Sequence, residues 1–229
     1  MTIDLAYTRW ADRYDTGRNL TRDLDRSVTA DVLGARRFGM SIEAGCGTGK
    51  NTPLLASISG SVLAMDFSAG MLARAKERVR ESNVMFEHAD VLQAWPCGAG
   101  VADLVSCNLV LEHVESLDRV FGEAARALRP GGLFFICELH PFRQYLGTQA
   151  NFVDGEGSAV AITAFTHHLS DFMQSAAGAG FTLERLDEWW HAEDSGKPPR
   201  LLSLLLKKRA PGAAMRSPTH SDAAVGGHS

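Results

Sequence analysis

Residues 43–52 read EAGCGTGKNT and follow the short run Gly39-Met40-Ser41-Ile42. Glycine recurs at positions 45, 47 and 49, opened by the carboxylate of Glu43 and closed by Lys50-Asn51-Thr52. A strand that ends in alternating glycines and runs into a helix can turn tightly and can let another molecule approach the backbone within contact distance. Several classes of nucleotide enzyme use such a turn, and the spacing narrows them. GxGxG is not the GxGxxG of dinucleotide-binding sheets, and Lys50 is followed by Asn51, so no GxxxxGK phosphate-loop frame exists.

Outward from this loop the chain alternates short strand-like runs with helical ones. SIEAG leads to a helix from about Lys50, SVLAMD to SAGMLARAKERVRE, VMFEHA stands alone, and DLVSCN leads to LDRVFGEAARALR before GGLFFICEL. That alternation predicts a doubly wound α/β sheet with mostly parallel strands. Arg129-Pro130-Gly131-Gly132 is a helix stop that turns into the next strand. Upstream, Leu20, Leu24, Val28, Val32 and Leu33 recur at helical spacing, so residues 1–38 read as an N-terminal helical lid. The ligand-binding α/β domain is expected over 39–209. Within it, residues 140–167 are irregular and longer than a simple connection, as functional insertions are. FTLERLDEWW and RLLSLLLKKR read as two further strands, and 210–229 as a disordered tail.

The chain has 229 residues, 45 % hydrophobic and 22 % charged, enough for one well-buried domain. Twenty-three basic and 27 acidic residues leave a net charge of -4 without a long basic block, which argues against nucleic acid as partner. Arg74, Lys76, Arg78 and Arg80 read as a solvated helix face. Cys46, Cys97, Cys107 and Cys137 have neither metal-ligand nor disulfide spacing and suit free thiols in a reducing cytosol. The charged N-terminus reads as no signal peptide, and no apolar run approaches membrane-spanning length, so a cytoplasmic protein is expected. His167-His168 lacks a third ligand at defined spacing, and no metal is assigned.

Two carboxylates at later strand ends complete the ligand signature. Asp66 closes SVLAMD, where it can accept both hydroxyl hydrogens of a ribose, and Asp90 follows the third strand in HADV, placed for an exocyclic adenine amine. EAGCGTG, AMDFS, HADV, DLVSCNLVLEHV and LRPGGLFFICELHP, in that order, resemble the class I S-adenosylmethionine-dependent methyltransferases over about residues 5–209. The resemblance implies a seven-stranded sheet whose last two strands form an antiparallel hairpin at one edge, and S-adenosyl-L-methionine as cofactor. It implies that Glu43, Gly45, Cys46, Gly47 and Gly49 face the cofactor's methionine portion. Asp66 with Phe67 would face the ribose, Asp90 with Val91 the adenine, and Asn108-Leu109 the amino-acid end. Tyr14 matches a tyrosine on an N-terminal lid. Asp66 has a competing role as a helix cap, for which Ser68 is the better candidate.

Methyl transfer from a sulfonium is an in-line displacement, so alignment and water exclusion come first, and a base helps only where the acceptor carries a proton. Candidate bases come from the ends of the fourth and fifth strands, His113 in LEHV and Glu138 and His140 in ELHP with Tyr145 near by; His140 comes first because it opens the irregular insertion, whereas His113 has a competing role in local hydrogen bonding. Phe142, Tyr145 and Trp189 are candidate acceptor-binding walls, against a competing role in core packing for the aromatic residues as a group. NLVLEH stands where an Asn-Pro-Pro-Tyr amine-binding segment would, and Pro96-Cys97 precedes the fourth strand, the wrong place for a cytosine-type nucleophile. The expected activity is methylation of an O, N or electron-rich ring carbon of a small aromatic or heterocyclic molecule of secondary metabolism. The rivals are an RNA or protein methyltransferase, a dinucleotide-dependent oxidoreductase and a non-catalytic cofactor-binding subunit.

Overall fold

The computed structural model describes residues 18–147, 151–153, 159–161 and 164–210. Its strands are β1 (Phe38–Ala44), β2 (Ser59–Asp66), β3 (Val84–His88), β4 (Ala102–Asn108), β5 (Leu128–Leu139), β6 (Asn151–Val153), β7 (Ala159–Ala161), β8 (Phe181–Trp189) and β9 (Leu201–Lys208). Its helices are α1 (Leu20–Leu33), α2 (Thr52–Ile58), α3 (Ala69–Arg78), α4 (Asp118–Ala127), α5 (Pro141–Tyr145) and α6 (Leu169–Gly178). The main sheet runs β3-β2-β1-β4-β5-β9-β8, and β6 pairs with β7 apart from it. Strands β1 to β5 are mutually parallel, whereas β9 is antiparallel to both β5 and β8, which is the expected edge hairpin.

Strand order reverses between β1 and β4, because β2 and β3 lie on one side of β1 and β5 on the other. A crevice forms at the carboxyl ends of strands at such a point. The sheet is buried on both faces, so its central strands carry consecutive apolar runs such as Leu133–Cys137 of β5. On β5, Phe134 and Ile136 face the layer containing Val120 and Phe121 of α4 and Phe172 of α6. Leu133, Phe135 and Cys137 face the layer with Val28 and Leu33 of α1, Leu55 of α2 and Leu72 of α3. Phe121 meets Phe134 edge-on with ring centroids 5.2 Å apart, and Phe181 of β8 lies 5.7 Å from Phe134. A fully buried side chain of this size contributes about 1.5–3 kcal/mol.

Local signals match their elements. Ser68 caps α3 by accepting the Met71 N–H at 3.3 Å, as the sequence suggests. Asn19 caps α1 through the N–H groups of Thr21 and Arg22. Of the expected lid region, α1 packs against the sheet through Val28 and Leu33, and residues 1–17, Tyr14 among them, lie outside the described residues. The expected tail also lies outside them from residue 211. Where β8 and β9 join, the buried Asp194 binds Arg200 and Arg143 at 2.7 and 2.9 Å, tying that loop to α5. Among the described residues no helix is long and apolar enough to cross a membrane.

Candidate active site

A cavity of about 240 Å³ opens at the strand-order reversal, with the glycine loop along its floor. Gly45, Gly47 and Gly49 all have positive φ, at 78°, 54° and 76°. Their missing side chains serve different ends. A Cβ on Gly45 would overlap Val110, and one on Gly49 would lie 2.9 Å from Val79 Cγ2, so these two allow protein to pack on protein. A Cβ on Gly47 would meet nothing within 4 Å. Gly47 is therefore where the loop leaves its backbone open to a ligand.

Asp66 pins this loop. Its Oδ2 accepts the Gly47 N–H and its Oδ1 the Ser68 N–H, each at 2.8 Å. The carboxylate is 6 % exposed and lines the cavity, retaining acceptor capacity for ribose hydroxyls. Phe67, Asp90 and Val91 line the same cavity. Asp90 uses one oxygen to hold the Leu92 N–H at 2.9 Å, a turn that fixes the loop after β3.

Glu43, the first residue of the motif, is buried and accepts the Thr52 hydroxyl at 2.6 Å. Burial pushes its carboxyl up to about 8, and the neighbouring Asp25 and Asp66 add to the shift. Asp25 of α1 is the residue sequence reasoning missed. Its Oδ1 accepts from Asn108 Nδ2 and its Oδ2 from Asn51 Nδ2, both at 2.7 Å. Asn108 Nδ2 also reaches Thr29 Oγ1 at 3.0 Å, while its Oδ1 accepts from Ser106 at 2.6 Å. The overlooked signal was a polar stripe, Arg22, Asp25 and Thr29, at helical spacing beside the apolar one. All three are buried.

The opposite wall follows β4. Leu109 has φ +56°, a conformation that costs a side-chain-bearing residue about 1–3 kcal/mol and needs external support. Support comes from Glu138, whose Oε1 accepts the N–H groups of Val110 and Leu111 at 3.0 Å each. Burial pushes the Glu138 carboxyl up to about 8. The 3₁₀ turn Leu111–His113 follows, and His113 lines the cavity with Val110 and Val114.

The other expected acceptor-side residues lie elsewhere. His140 caps α5: its Nδ1 accepts the Phe142 N–H at 3.1 Å and its Nε2 lies 2.9 Å from Glu188 Oε1, so both ring nitrogens are engaged away from the cavity. Phe142 and Tyr145 are half exposed outside the cavity lining, and the Tyr145 hydroxyl bonds His168 Nδ1 at 2.6 Å. Trp189 packs on the α1 side of the sheet and donates to Ser203 Oγ at 2.8 Å. Cys97 lies on the loop before β4 beside Arg126 and is not part of the cavity lining.

The donor set fits S-adenosylmethionine on two grounds. Gly47, whose N–H is held by Asp66, offers an open approach to the backbone. In addition, Asn51 Oδ1 is a buried acceptor that has no partner among the described residues, while Asn51 lines the cavity. A buried polar atom of this kind wants a ligand donor.

Comparison with known proteins agrees. Residues 42–136 match the family described as methyltransferase domain. The chain is 30 % identical over 222 residues to an uncharacterized methyltransferase of Emericella nidulans, covering 80 % of this chain and 76 % of that one. A malonyl-[acyl-carrier protein] O-methyltransferase of Enterobacter lignolyticus is 34 % identical over 131 residues, covering 57 % of this chain and 51 % of its own length. The chain thus spans only about half of that relative. The crystal structure of an S-adenosylmethionine-dependent methyltransferase from Mesorhizobium loti superposes with a TM-score of 0.64 at 21 % identity, over 80 % of this chain and 96 % of that one. A relative matched along most of both lengths, a sheet with this edge hairpin and a strand-end glycine loop whose backbone is open at Gly47 lead to one assignment: this chain belongs to the class I S-adenosylmethionine-dependent methyltransferases.

Proposed function

We propose that this methyltransferase acts on an O, N or electron-rich ring carbon of a small molecule, with His113 receiving the acceptor's proton where there is one. The observation that carries this reading is the position of His113. It lines the cofactor cavity on a turn whose backbone is held from several sides. Glu138 holds the N–H groups of Val110 and Leu111, and His167 Nε2 lies 3.0 and 2.7 Å from the carbonyls of Leu111 and Val114. The Phe165 N–H donates to the Glu112 carbonyl at 2.7 Å. A base held this firmly suits proton removal, which depends on hydrogen-bond reach in the reacting geometry.

S-adenosylmethionine supplies an electrophilic methyl group when bound. The chain's own part is to orient and to exclude water. Leu109, Val110 and Val114 give the acceptor side an apolar wall, and Asp66 with the glycine loop sets the nucleoside. The relative named as an O-methyltransferase supports oxygen among the candidate acceptor atoms. An RNA acceptor is disfavoured by the net charge of -4. The test is incorporation of labelled methyl from the cofactor into a panel of small phenols, carboxylic acids and amines, run beside total RNA and unfolded protein. Label in a small acceptor, lost on His113→Ala, is the expected result. Label entering only RNA or protein would overturn the proposal.

A further inference from the structure

The histidine pair at 167–168 divides between two tasks. His168 is the N-cap of α6, its N–H held by Asp171 Oδ2 at 2.7 Å and its Nδ1 2.6 Å from the Tyr145 hydroxyl. His167 turns the other way and is 8 % exposed. Its Nε2 lies 3.0 Å from the Leu111 carbonyl and 2.7 Å from that of Val114, and carbonyls only accept, so Nε2 must carry the hydrogen. That settles the tautomer. A donor at Nε2 is present in the neutral Nε2–H form and in the imidazolium alike, so the contact survives either charge state. Phe172 of α6 packs edge-on at 5.9 Å between ring centroids and supports the plane of the imidazole.

A buried histidine commonly does no more than satisfy its neighbours, and both carbonyls belong to buried residues that need a donor. Their position gives the contact a second consequence. Leu111 and Val114 bracket His113, and the Phe165 N–H donates to the Glu112 carbonyl between them at 2.7 Å. Residues 165–167 thus hold the carbonyl side of the turn, while Glu138 of β5 holds its N–H side at Val110 and Leu111. A main chain fixed on both sides fixes where its side chain starts. His167 lies 56 and 53 residues from the two carbonyls it binds, so this is a tertiary link and not part of the turn itself. We propose that His167 is a positioning residue for methyl transfer, its Nε2–H gripping the carbonyls of Leu111 and Val114 so that the His113 ring keeps a single direction into the cavity. The proposal rests on the reading of His113 as the base.

His167→Gln and His167→Asn test it on the full chain, because they carry the same amide on side chains of different reach. Glutamine places an N–H where Nε2 stood, whereas asparagine places it at the Nδ1 position, short of both carbonyls. One readout needs no acceptor. With carbon-13-labelled histidine and saturating S-adenosylhomocysteine, the ring Cε1–H signal of His113 is assigned by its loss in His113→Ala. It should be single in wild type and His167→Gln, and split or broadened in His167→Asn. The other readout is turnover of the small acceptor that takes label in the panel. His167→Asn should lose about tenfold to 100-fold in kcat, with the Kd for S-adenosylhomocysteine within about twofold of wild type, and His167→Gln should recover most of that loss. In the His113→Ala background His167→Asn should cost no further turnover, because it acts through that ring. An unchanged His113 signal in His167→Asn, equal impairment of the two His167 variants, or an equal loss with and without His113 overturns the proposal. Full turnover in His113→Ala alone would instead strike the base reading, and this inference with it, before any His167 variant is made.

Discussion

Gly47→Ala separates the cost of the loop from the needs of its ligand. Gly47 has φ +54°, where an L side chain costs about 1–2 kcal/mol. Its new Cβ would meet no protein atom within 4 Å, so no clash adds to that cost. For a chain of this length 1 kcal/mol moves the melting temperature about 2–4 °C, which predicts a fall of about 2–8 °C. The cofactor should suffer more specifically. A methyl group in the open space above the loop either displaces the ligand or costs it one good hydrogen bond and its van der Waals contact, together about 2 kcal/mol or roughly 30-fold in Kd. Gly49→Ala serves as comparison, because there the Cβ would lie 2.9 Å from Val79 Cγ2 and 3.3 Å from Ala75 Cα. That variant should lose stability first, its affinity falling as a consequence of the strained loop. Calorimetry and thermal melts on the three proteins give both quantities. A Gly47→Ala protein that melts lower but binds S-adenosylhomocysteine as tightly as wild type would refute the placement of the ligand over this glycine.

Two further outcomes follow from the site. His113→Ala should lower turnover roughly 100-fold with cofactor Kd within about twofold, because base assistance is expressed in the transition state. His140→Ala should instead cost about 1 kcal/mol of stability through loss of the α5 cap, read in denaturant melts, with turnover little changed. Stability should also fall from pH 5.5 to 8.5. Burial holds Glu43 and Glu138 at about 8, against an ordinary value of 4.5, so the folded state keeps protons that the unfolded chain has released. Their stabilising contribution is complete below the unfolded value and is lost as pH rises towards 8, with a slope of at most about 1.4 kcal/mol per pH unit for each group. Glu138→Gln, which can still accept from Val110 and Leu111, should flatten that fall, and an unchanged slope would remove Glu138 from it. Asp194 works in the opposite sense but outside this window, since Arg200 and Arg143 hold its carboxyl well below the usual range.

Local chemistry made much of this protein legible in one dimension. The change from helical spacing before residue 38 to alternating strands and helices after it announces the doubly wound sheet, because each element must bury an apolar face of its own period. The glycine spacing of 45, 47 and 49 and the strand-end carboxylates Asp66 and Asp90 fall on neighbouring elements, so their meeting at one cavity follows from sheet order. Tertiary structure decided the rest. Asp25 lies 83 residues from Asn108 and 26 from Asn51, and nothing local tells a buried polar stripe on a helix from a solvated one. His113 and His140 look alike as strand-end histidines, yet one follows a left-handed Leu109 into the cavity and the other spends its ring on a helix cap and Glu188. Trp189 had the composition of a cleft wall, and strand pairing turned it onto the α1 face, where Ser203 takes its N–H. Periodicity carries the burial of an element's face, which is a short-range property of the chain, whereas the direction and partner of a single polar side chain depend on atoms that only folding brings near.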